Sequence, residues 1–208
     1  MKERILIMVA HSDDQIVGAG GTIAKYCDEG SKVKVVIFSS GEKSVPWLKE
    51  EVIKRKRIKE SQKVSRVLKC EVKFLGLPDL RLGENIEDAT KKAEEIIKKF
   101  KPNKIFTHNK YDTHPDHRAV YEVVTKALKG RKPQIFTFLV WNLFNPKDSA
   151  VFYVNIDDFF DNKIMALKEF KTQRLILWLF YLPIYIKNRL AGIKNRCKYA
   201  EIFYVENA

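Results

Sequence analysis

The histidines of this chain are few and concentrated. There are four, and they lie in two short segments that also carry aspartates. The first segment is HSDD, residues 11–14, and the second is THNKYDTHPDHRAV, residues 107–120. The histidines are His11, His108, His114 and His117. Imidazole nitrogens and carboxylate oxygens are the ligands of hydrolytic zinc sites, where two histidines and one carboxylate leave a coordination position open. The two segments therefore predict a metal centre in preference to a purely structural polar network.

The spacing of these residues suggests which of them would bind the metal and which would act in catalysis. His11 and one of the two adjacent aspartates would supply two ligands, and His117 the third. Neighbouring aspartates point in different directions, so one can bind the metal while the other acts as a general base. His114 lies three residues before His117 and would face the substrate oxygen. Asp116, between them, would orient His114 through its ring N–H.

Both segments follow apolar runs that have the character of buried strands. Five such runs, at 4–10, 32–40, 71–77, 104–108 and 134–140, alternate with helical patterns at 21–29, 48–68, 85–100 and 117–128. A further strand at 151–156 and a helix at 157–173 follow. This alternation predicts an α/β fold, a single Rossmann-like domain over 1–208 with a mostly parallel sheet and helices on both faces. Ligands of such sheets bind beyond the carboxyl ends of the strands, where the two polar segments would lie.

A glycine cluster follows HSDD. We expect Gly18, Gly20 and Gly21 to serve the turn after the first strand and the close approach of the next helix to the sheet. They do not form a dinucleotide-binding fingerprint, because Ile23 occupies the position of its third glycine.

AHSDDQ followed downstream by HPDH resembles the PIG-L or LmbE-like family of zinc-dependent N-acetylglucosaminyl de-N-acetylases, whose first motif is A-H-P-D-D-E. The resemblance extends over nearly the whole chain and includes SSGE, FLGLPD, HPDHRAV and YAEIF. It implies a hydrolase that removes the acetyl group from an N-acetylglucosamine-type sugar or glycoconjugate. The cofactor would be Zn²⁺, with another divalent metal as the alternative.

The resemblance also implies roles for individual residues. His11, Asp14 and His117 would bind the metal, and Asp13 would be the general base. His114 would stabilise the oxyanion and protonate the leaving amine, with Asp116 behind it. Arg57 and Asp79 match positions that contact the sugar. From the sequence alone, Arg57 is equally well explained as a surface ion pair with Glu60, and Asp79 as a turn residue.

The chain departs from the family motif at two positions. Ser12 replaces the proline, which softens the turn, and Gln15 replaces the glutamate. A glutamine preserves the hydrogen bonds of that glutamate but not its charge, so activity would be weakened only if the charge tunes the metal site.

The formal net charge of +13 favours anionic partners, although Lys/Glu-rich surfaces are also found in heat-adapted proteins. The alternative to an enzyme is therefore a degenerate-site binding protein for nucleic acid or a membrane. Specific nucleic-acid binding is not expected, because no aromatic and basic strand motif is present. A two-histidine, one-carboxylate set also occurs in Fe(II) oxygenases, but their barrel folds do not match this alternation.

The apolar segment 175–190 is too short and too interrupted to cross a bilayer. It is predicted to be a core or homo-oligomer-facing helix, or else a contact with a membrane surface or a lip over the active site. The substrate would accordingly be a small-molecule or lipid-linked amino sugar. Three widely spaced cysteines, with no metal knuckle among them, predict a reduced, cytoplasmic protein.

Overall fold

One seven-stranded sheet organises the protein in the computed structural model, which describes residues 2–45, 47–140 and 150–206, without the side chains of 174–180. The strand order is β3-β2-β1-β4-β5-β7-β6. The strands are β1 (Arg4–Val9), β2 (Lys32–Ser39), β3 (Glu71–Leu77), β4 (Lys104–His108), β5 (Gln134–Phe138), β6 (Val151–Asn155) and β7 (Ala200–Glu206). β1 to β5 are parallel, whereas β7 runs antiparallel to both β5 and β6. The predicted mostly parallel α/β fold is confirmed.

Helices cover both faces of this sheet. They are α1 (Asp14–Asp28), α2 (Glu50–Val67), α3 (Ile86–Phe100), α4 (Pro115–Ala127), α5 (Phe160–Lys168) and α6 (Arg174–Lys194). β1 shows why two layers form, because its side chains alternate between the faces. Ile5 and Ile7 pack in the cluster with α1, α2 and α5, while Leu6 and Met8 pack with α3 and α4. Apolar side chains on both faces are the reason that the strand appears continuously hydrophobic in the sequence.

The first helix begins seven residues before its predicted start at 21. The glycines therefore lie inside α1, and their assignment to the turn was wrong. The expected close approach does occur. A Cβ added at Gly18 would lie 2.2 Å from the Phe138 ring, and one at Gly21 would lie 2.7 Å from Ile156.

The C-terminal third differs more from expectation. The predicted helix at 157–173 is divided into a 3-10 turn, α5 and a second 3-10 turn. One reason is that the Thr172 amide donates to Glu60 Oε1 on α2 at 2.9 Å, so it is not available to a continuing helix. Strand β7, which contains the AEIF of YAEIF, was not predicted.

The apolar segment forms α6, which includes Pro183. Leu182, Ile186 and Leu190 are exposed along it at four-residue spacing, and Ile184 is buried. Within the described parts of the chain, no helix combines the length and apolarity needed to cross a bilayer.

Candidate metal centre and active site

The polar segments meet where the sheet topology changes direction. β1 pairs with β2 on one side and with β4 on the other. The loops that leave β1 and β4 therefore diverge, and the crevice between them is the usual ligand site of an open α/β sheet. His11 follows β1, His108 ends β4, and His117 lies in the first turn of α4. Each is buried.

Asp14 lies at the centre of this cluster. Its Oδ2 is 3.3 Å from His11 Nδ1 and 3.3 Å from His117 Nε2. One ligand atom from each of these three residues lies within 4.8 Å of the others. Asp14 Oδ2 also accepts a 2.8 Å hydrogen bond from the His11 amide, which closes the loop between strand and helix. The structure thus brings together the three residues that the family resemblance implied as ligands.

The donor set fits a divalent metal. Nε2 of His117 is buried and makes no hydrogen bond, although it faces an Asp14 carboxylate oxygen at 3.3 Å, whereas Nδ1 lies 3.0 Å from Asp112 Oδ1. An unpaired buried nitrogen is costly to a folded protein unless something else binds it. Two imidazole nitrogens and one carboxylate oxygen suit zinc.

Sequence reasoning missed Asp112. This buried residue places Oδ1 at 3.0 Å from His117 Nδ1, and its oxygens accept from the amides of His114 at 3.1 Å and Val140 at 2.9 Å. A carboxylate behind a metal-binding histidine fixes the orientation of its ring. The available signal was an acidic residue within the His-rich segment, five positions before His117.

His108 was counted in the cluster but given no role. Its ring stacks on that of His117, with centroids 3.8 Å apart and planes 14° apart. Its Nε2 accepts a 3.0 Å hydrogen bond from the Ala10 amide, so that nitrogen carries no proton. His108 thereby joins the ends of β1 and β4 and supports one face of the His117 ring.

The histidines of the cluster differ in their pKa values. Burial opposes charge on His117, but Asp14 and Asp112 outweigh it and raise its pKa to about 9. Burial and the neighbouring His117 lower the pKa of His108 to about 4. The carboxyl pKa of Asp14 is well below its usual range, because the surrounding histidines outweigh its burial. At neutral pH the protein thus presents an ionised Asp14 beside a neutral His108.

The two adjacent aspartates diverge, as expected. Asp13 Oδ1 accepts a 2.8 Å hydrogen bond from Arg57 Nη2, whereas Asp14 faces the histidines. Arg57 is buried, and its Nε donates to Ser12 Oγ at 3.1 Å. The surface pair between Arg57 and Glu60 is not formed, since the carboxylate of Glu60 binds Thr172 instead. Gly41 has φ +66°, and a Cβ there would lie 3.1 Å from Arg57 Cζ, so the glycine leaves space for the guanidinium.

Asp116 does not lie where the sequence analysis placed it. Its carboxylate is 3.4 Å from His11 Nε2 and accepts a 2.9 Å hydrogen bond from the Leu80 amide. The link to His114 is made by its backbone, because the Asp116 amide donates to His114 Nδ1 at 3.1 Å. His114 therefore carries its ring proton on Nε2. The spacing of HPDH did not reveal this arrangement, because the partner of the Asp116 carboxylate is 105 positions away.

Asp79 also contacts His11, with Oδ1 at 3.2 Å from His11 Nε2. Its other oxygen accepts from the Lys43 amide at 2.9 Å. Burial opposes its ionisation, but the bond to His11 outweighs burial and lowers the pKa of Asp79. Asp79 and Asp116 together hold His11 with Nδ1 toward Asp14.

The departures from the family motif contact one another. Gln15 is buried, and its Nε2 donates to the Ser12 carbonyl oxygen at 2.6 Å. Ser12 in turn accepts from Arg57, a contact that a proline at this position has no hydroxyl to make. The two substitutions thus form one connected hydrogen-bonded turn beside Asp13.

A cleft of about 170 Å³ opens over the cluster. All the predicted site residues line this cleft except Asp116 and His117. Other lining residues include Lys43, Ser44, Leu80 and Gln173. Pockets that enclose drug-sized ligands measure about 300–1,000 Å³. The cleft therefore suits one end of a larger molecule.

The site and fold define an α/β protein with a buried His-His-Asp cluster at the sheet's switch point. Residues 6–128 match the family model PIG-L, described as GlcNAc-PI de-N-acetylase. This match covers more than half of the chain, and the chain belongs to the PIG-L family.

A sequence relative agrees with this assignment, and solved structures share the fold. A probable N-acetyl-alpha-D-glucosaminyl L-malate deacetylase 2 of Bacillus cereus is 29% identical over 188 residues, 83% of this chain and 84% of that protein. An N,N'-diacetylchitobiose deacetylase of Pyrococcus horikoshii superposes with a TM-score of 0.80 at 21% identity, covering 98% of this chain and 84% of that one. The 4-carboxy-2-hydroxymuconate hydratase GalB of Pseudomonas putida superposes with a TM-score of 0.85 at 21% identity, covering 100% and 97%. The fold alone therefore does not determine the chemistry, whereas the sequence relatives support an amide-hydrolysing deacetylase.

Proposed function

We propose that this protein is a zinc-dependent N-deacetylase that releases acetate from an N-acetylglucosamine-type sugar or glycoconjugate. The observation that carries the proposal is the convergence of His11, Asp14 and His117 beside a separately held aspartate. These three residues would hold the metal. When bound, the cation would polarise the acetamide carbonyl and lower the pKa of water in the site.

Asp13 is the proposed general base. Its carboxylate lines the cleft, and Arg57 fixes one of its oxygens, so Asp13 is oriented for proton transfer without being a ligand. It accepts a proton as water attacks the acetamide carbon. A metal site in which this aspartate is free to accept that proton supports hydrolysis better than simple binding.

His114 is the proposed partner for the oxyanion and the leaving amine. Burial and the neighbouring His117 lower its pKa, so the ring is neutral at neutral pH. Its Nδ1 accepts from the Asp116 amide, which leaves the Nε2 proton to donate to the tetrahedral oxyanion. The C–N bond then breaks as His114 or protonated Asp13 delivers a proton to nitrogen, leaving acetate and a free amine. Asp116 acts on this step through the backbone of its turn and on His11 through its carboxylate.

The substrate is proposed to be an amino sugar whose acetamido end enters the cleft. Arg57 and Asp79 both line the cleft, which supports their predicted contact with the sugar. Because the cleft encloses only about 170 Å³, the aglycone, second sugar or lipid would lie outside it.

We further propose that α6 contacts an anionic membrane surface. Its exposed apolar residues Leu182, Ile186 and Leu190 share one face. Residues 174–199 contain no acidic residue and six cations, namely Arg174, Lys187, Arg189, Lys194, Arg196 and Lys198. Lys187 is not available to a surface, because its Nζ donates to the Leu139 carbonyl oxygen. This combination is typical of interfacial helices. Flotation with phosphatidylserine vesicles, but not with phosphatidylcholine vesicles, is expected for the wild type and should be lost in Ile186→Glu. Self-association in light scattering without flotation would instead identify the face as an oligomer contact.

A cytoplasmic location is proposed from the cysteines. Cys27, Cys70 and Cys197 are all free thiols, as expected in a reducing compartment. Recovery of the native protein in the soluble cytoplasmic or peripheral-membrane fraction of its cells would test this.

The activity itself is tested by acetate release from free N-acetylglucosamine, diacetylchitobiose, a nucleotide-linked and a lipid-linked N-acetylglucosamine. We expect release from at least one compound and none with His117→Ala. Hydration of an unsaturated acid without acetate release would instead favour the chemistry of the hydratase neighbour. Binding of polyanions with no turnover would favour the degenerate-site alternative.

A further inference from the structure

The helix that carries Asp14 is broken in its middle. Ala19 has φ −145° and ψ 18°, which are not helical, so α1 consists of a short first segment, 14–18, and a second segment, 20–28. Any helix end leaves amides and carbonyls without partners inside the helix. A break at a buried position therefore needs partners from elsewhere, and Ala19 is fully buried.

Glu201 supplies partners for the second segment. Its two carboxylate oxygens accept from the amides of Gly21 at 3.1 Å and Thr22 at 2.8 Å. This is the contact that an N-cap side chain makes, but Glu201 lies on β7, about 180 positions away. Glu201 belongs to YAEIF, a motif to which neither the metal centre nor the cleft gives a role.

Lys163 supplies the partner for the first segment. Its Nζ donates to the Val17 carbonyl oxygen at 2.9 Å and to Glu201 Oε1 at 2.6 Å. Both side chains of the pair are 1% exposed. Gly20 allows Lys163 to pass, since a Cβ there would lie 3.1 Å from Lys163 Cγ.

A buried ion pair is by itself weak evidence for stabilisation, because desolvation offsets the attraction between the charges. The Lys163–Glu201 pair does something more specific, because it joins the two sides of one helix break. The first segment spans little more than one turn and begins at Asp14, so its direction depends on how the break is held. Neither residue of the pair lines the cleft.

We infer that Lys163 and Glu201 are positioning residues that fix the first segment of α1, and with it Asp14, against the histidines. The role as a metal-centre support rests on the function proposed above. The role in ordering residues 14–18 rests only on the contacts of the break.

The test compares Glu201→Gln with the double variant Lys163→Met/Glu201→Gln, which buries no unpaired charge if the single variant fails to fold. Ile97→Ala is the matched control, because Ile97 is a buried α3 residue in the opposite layer. Hydrogen exchange of peptides spanning 10–18 is measured below the unfolding transition, and zinc affinity by competition with a chromophoric chelator. We call Glu201→Gln and Lys163→Met/Glu201→Gln the clamp variants. We expect them to show faster hydrogen exchange in 14–18 and at least tenfold weaker zinc binding, and we expect neither change in Ile97→Ala.

The inference is overturned if the clamp variants lower Tm as Ile97→Ala does but leave exchange in 14–18 and zinc affinity unchanged. The pair would then serve stability alone. Hydrogen exchange tests whether the pair orders residues 14–18 even if neither the wild type nor any variant deacetylates a substrate. A failure of the proposed function is therefore recognised separately.

A charge-reversed variant, Lys163→Glu/Glu201→Lys, separates capping from simple charge pairing. The reversed pair keeps opposite charges, but it places an ammonium against two amides and a carboxylate against a carbonyl. We expect it to behave like the clamp variants. Recovery of wild-type exchange would show that charge pairing, and not capping of the break, is what matters.

Discussion

Replacing Asp112 with asparagine should weaken both the fold and the metal site, although Asp112 is not a proposed ligand. The carboxylate binds three groups at once: the Nδ1 of His117 and the amides of His114 and Val140. An asparagine has one oxygen acceptor, and its amide group would face at least one of these donors. Asp112→Asn therefore leaves a buried donor unpaired and releases the His117 ring.

The magnitude follows from the ionisation of Asp112. Burial disfavours its charge, but the bond to His117 outweighs burial and lowers the pKa from 3.8 to about 2. A tenfold change in an ionisation constant corresponds to about 1.4 kcal/mol, so the contacts of the ionised form contribute about 2 kcal/mol near neutral pH. Because the folded-state pKa is lowered, this contribution is present above the unfolded value and is lost as pH falls from about 4 toward 2.

The assay compares thermal unfolding and zinc affinity of Asp112→Asn with those of Asp88→Asn. Asp88 is a control with the same charge change, since it is exposed on α3 and pairs only with Lys92 in the contacts described. A loss of about 2 kcal/mol lowers Tm by roughly 4–8 °C in a chain of this size. Loss of a carboxylate that orients a metal-binding histidine typically weakens metal binding about 10–100-fold. If Asp112→Asn matched Asp88→Asn in both measurements, the role given to Asp112 would be refuted.

Three further outcomes are expected. Asp13→Asn should retain zinc affinity within a few-fold while kcat falls at least about 100-fold, and a variant with full turnover would exclude Asp13 as the base. Gln15→Glu restores the glutamate of the family motif but sets a carboxylate against the Ser12 carbonyl, so a loss of about 1–3 kcal/mol in the free energy of unfolding is expected in urea; an unchanged midpoint would contradict the hydrogen bond assigned to Gln15. His117 has a pKa of about 9, so zinc binding should release a proton and strengthen as pH rises from 7 toward 9. Over the same range the metal-free protein should lose stability, because a histidine with a raised pKa stabilises the fold only while its ring is protonated. Calorimetry measures both zinc affinity and the stability of the metal-free protein, and a flat or opposite pH dependence of both would count against the raised pKa of His117.

The parallel half of the fold was predictable because its signals are local. Strands β1 to β5 and helices α2 to α4 follow hydrophobic periodicity, and their ends were predicted within two residues. The one larger error there was α1, where three glycines favoured a turn. Glycine in a helix is normally unfavourable, but at Gly18 and Gly21 the packing against Phe138 and Ile156 leaves no room for a side chain.

The C-terminal third was less predictable because tertiary contacts determine it. β7 is held in place by antiparallel pairing with β5 and β6, and it carries the charged Glu201 at a buried position. No local pattern shows that this carboxylate is paired with Lys163 and two helix amides. A buried acid in a strand therefore looks like a loop residue in the sequence.

The candidate site shows the same division. Residue types and strand-end positions were sufficient to place the histidines and aspartates at one edge of the sheet. They did not reveal the partner of each polar atom. Asp116 contacts His11 across 105 positions, and the five-residue spacing of Asp112 and His117 does not show that the two side chains meet. Arg57 likewise binds Asp13 across 44 positions.

Bound metal and turnover, measured on the same preparation, decide whether the protein is a zinc-dependent deacetylase. Metal content of the purified protein is determined by elemental analysis, and acetate release is followed before chelation, after chelation and after zinc add-back. We expect about one zinc per chain, bound through two histidines and one carboxylate, and acetate release that chelation abolishes and zinc restores. A protein that binds no metal under zinc-replete conditions, or that releases acetate equally well after complete chelation, would contradict this function.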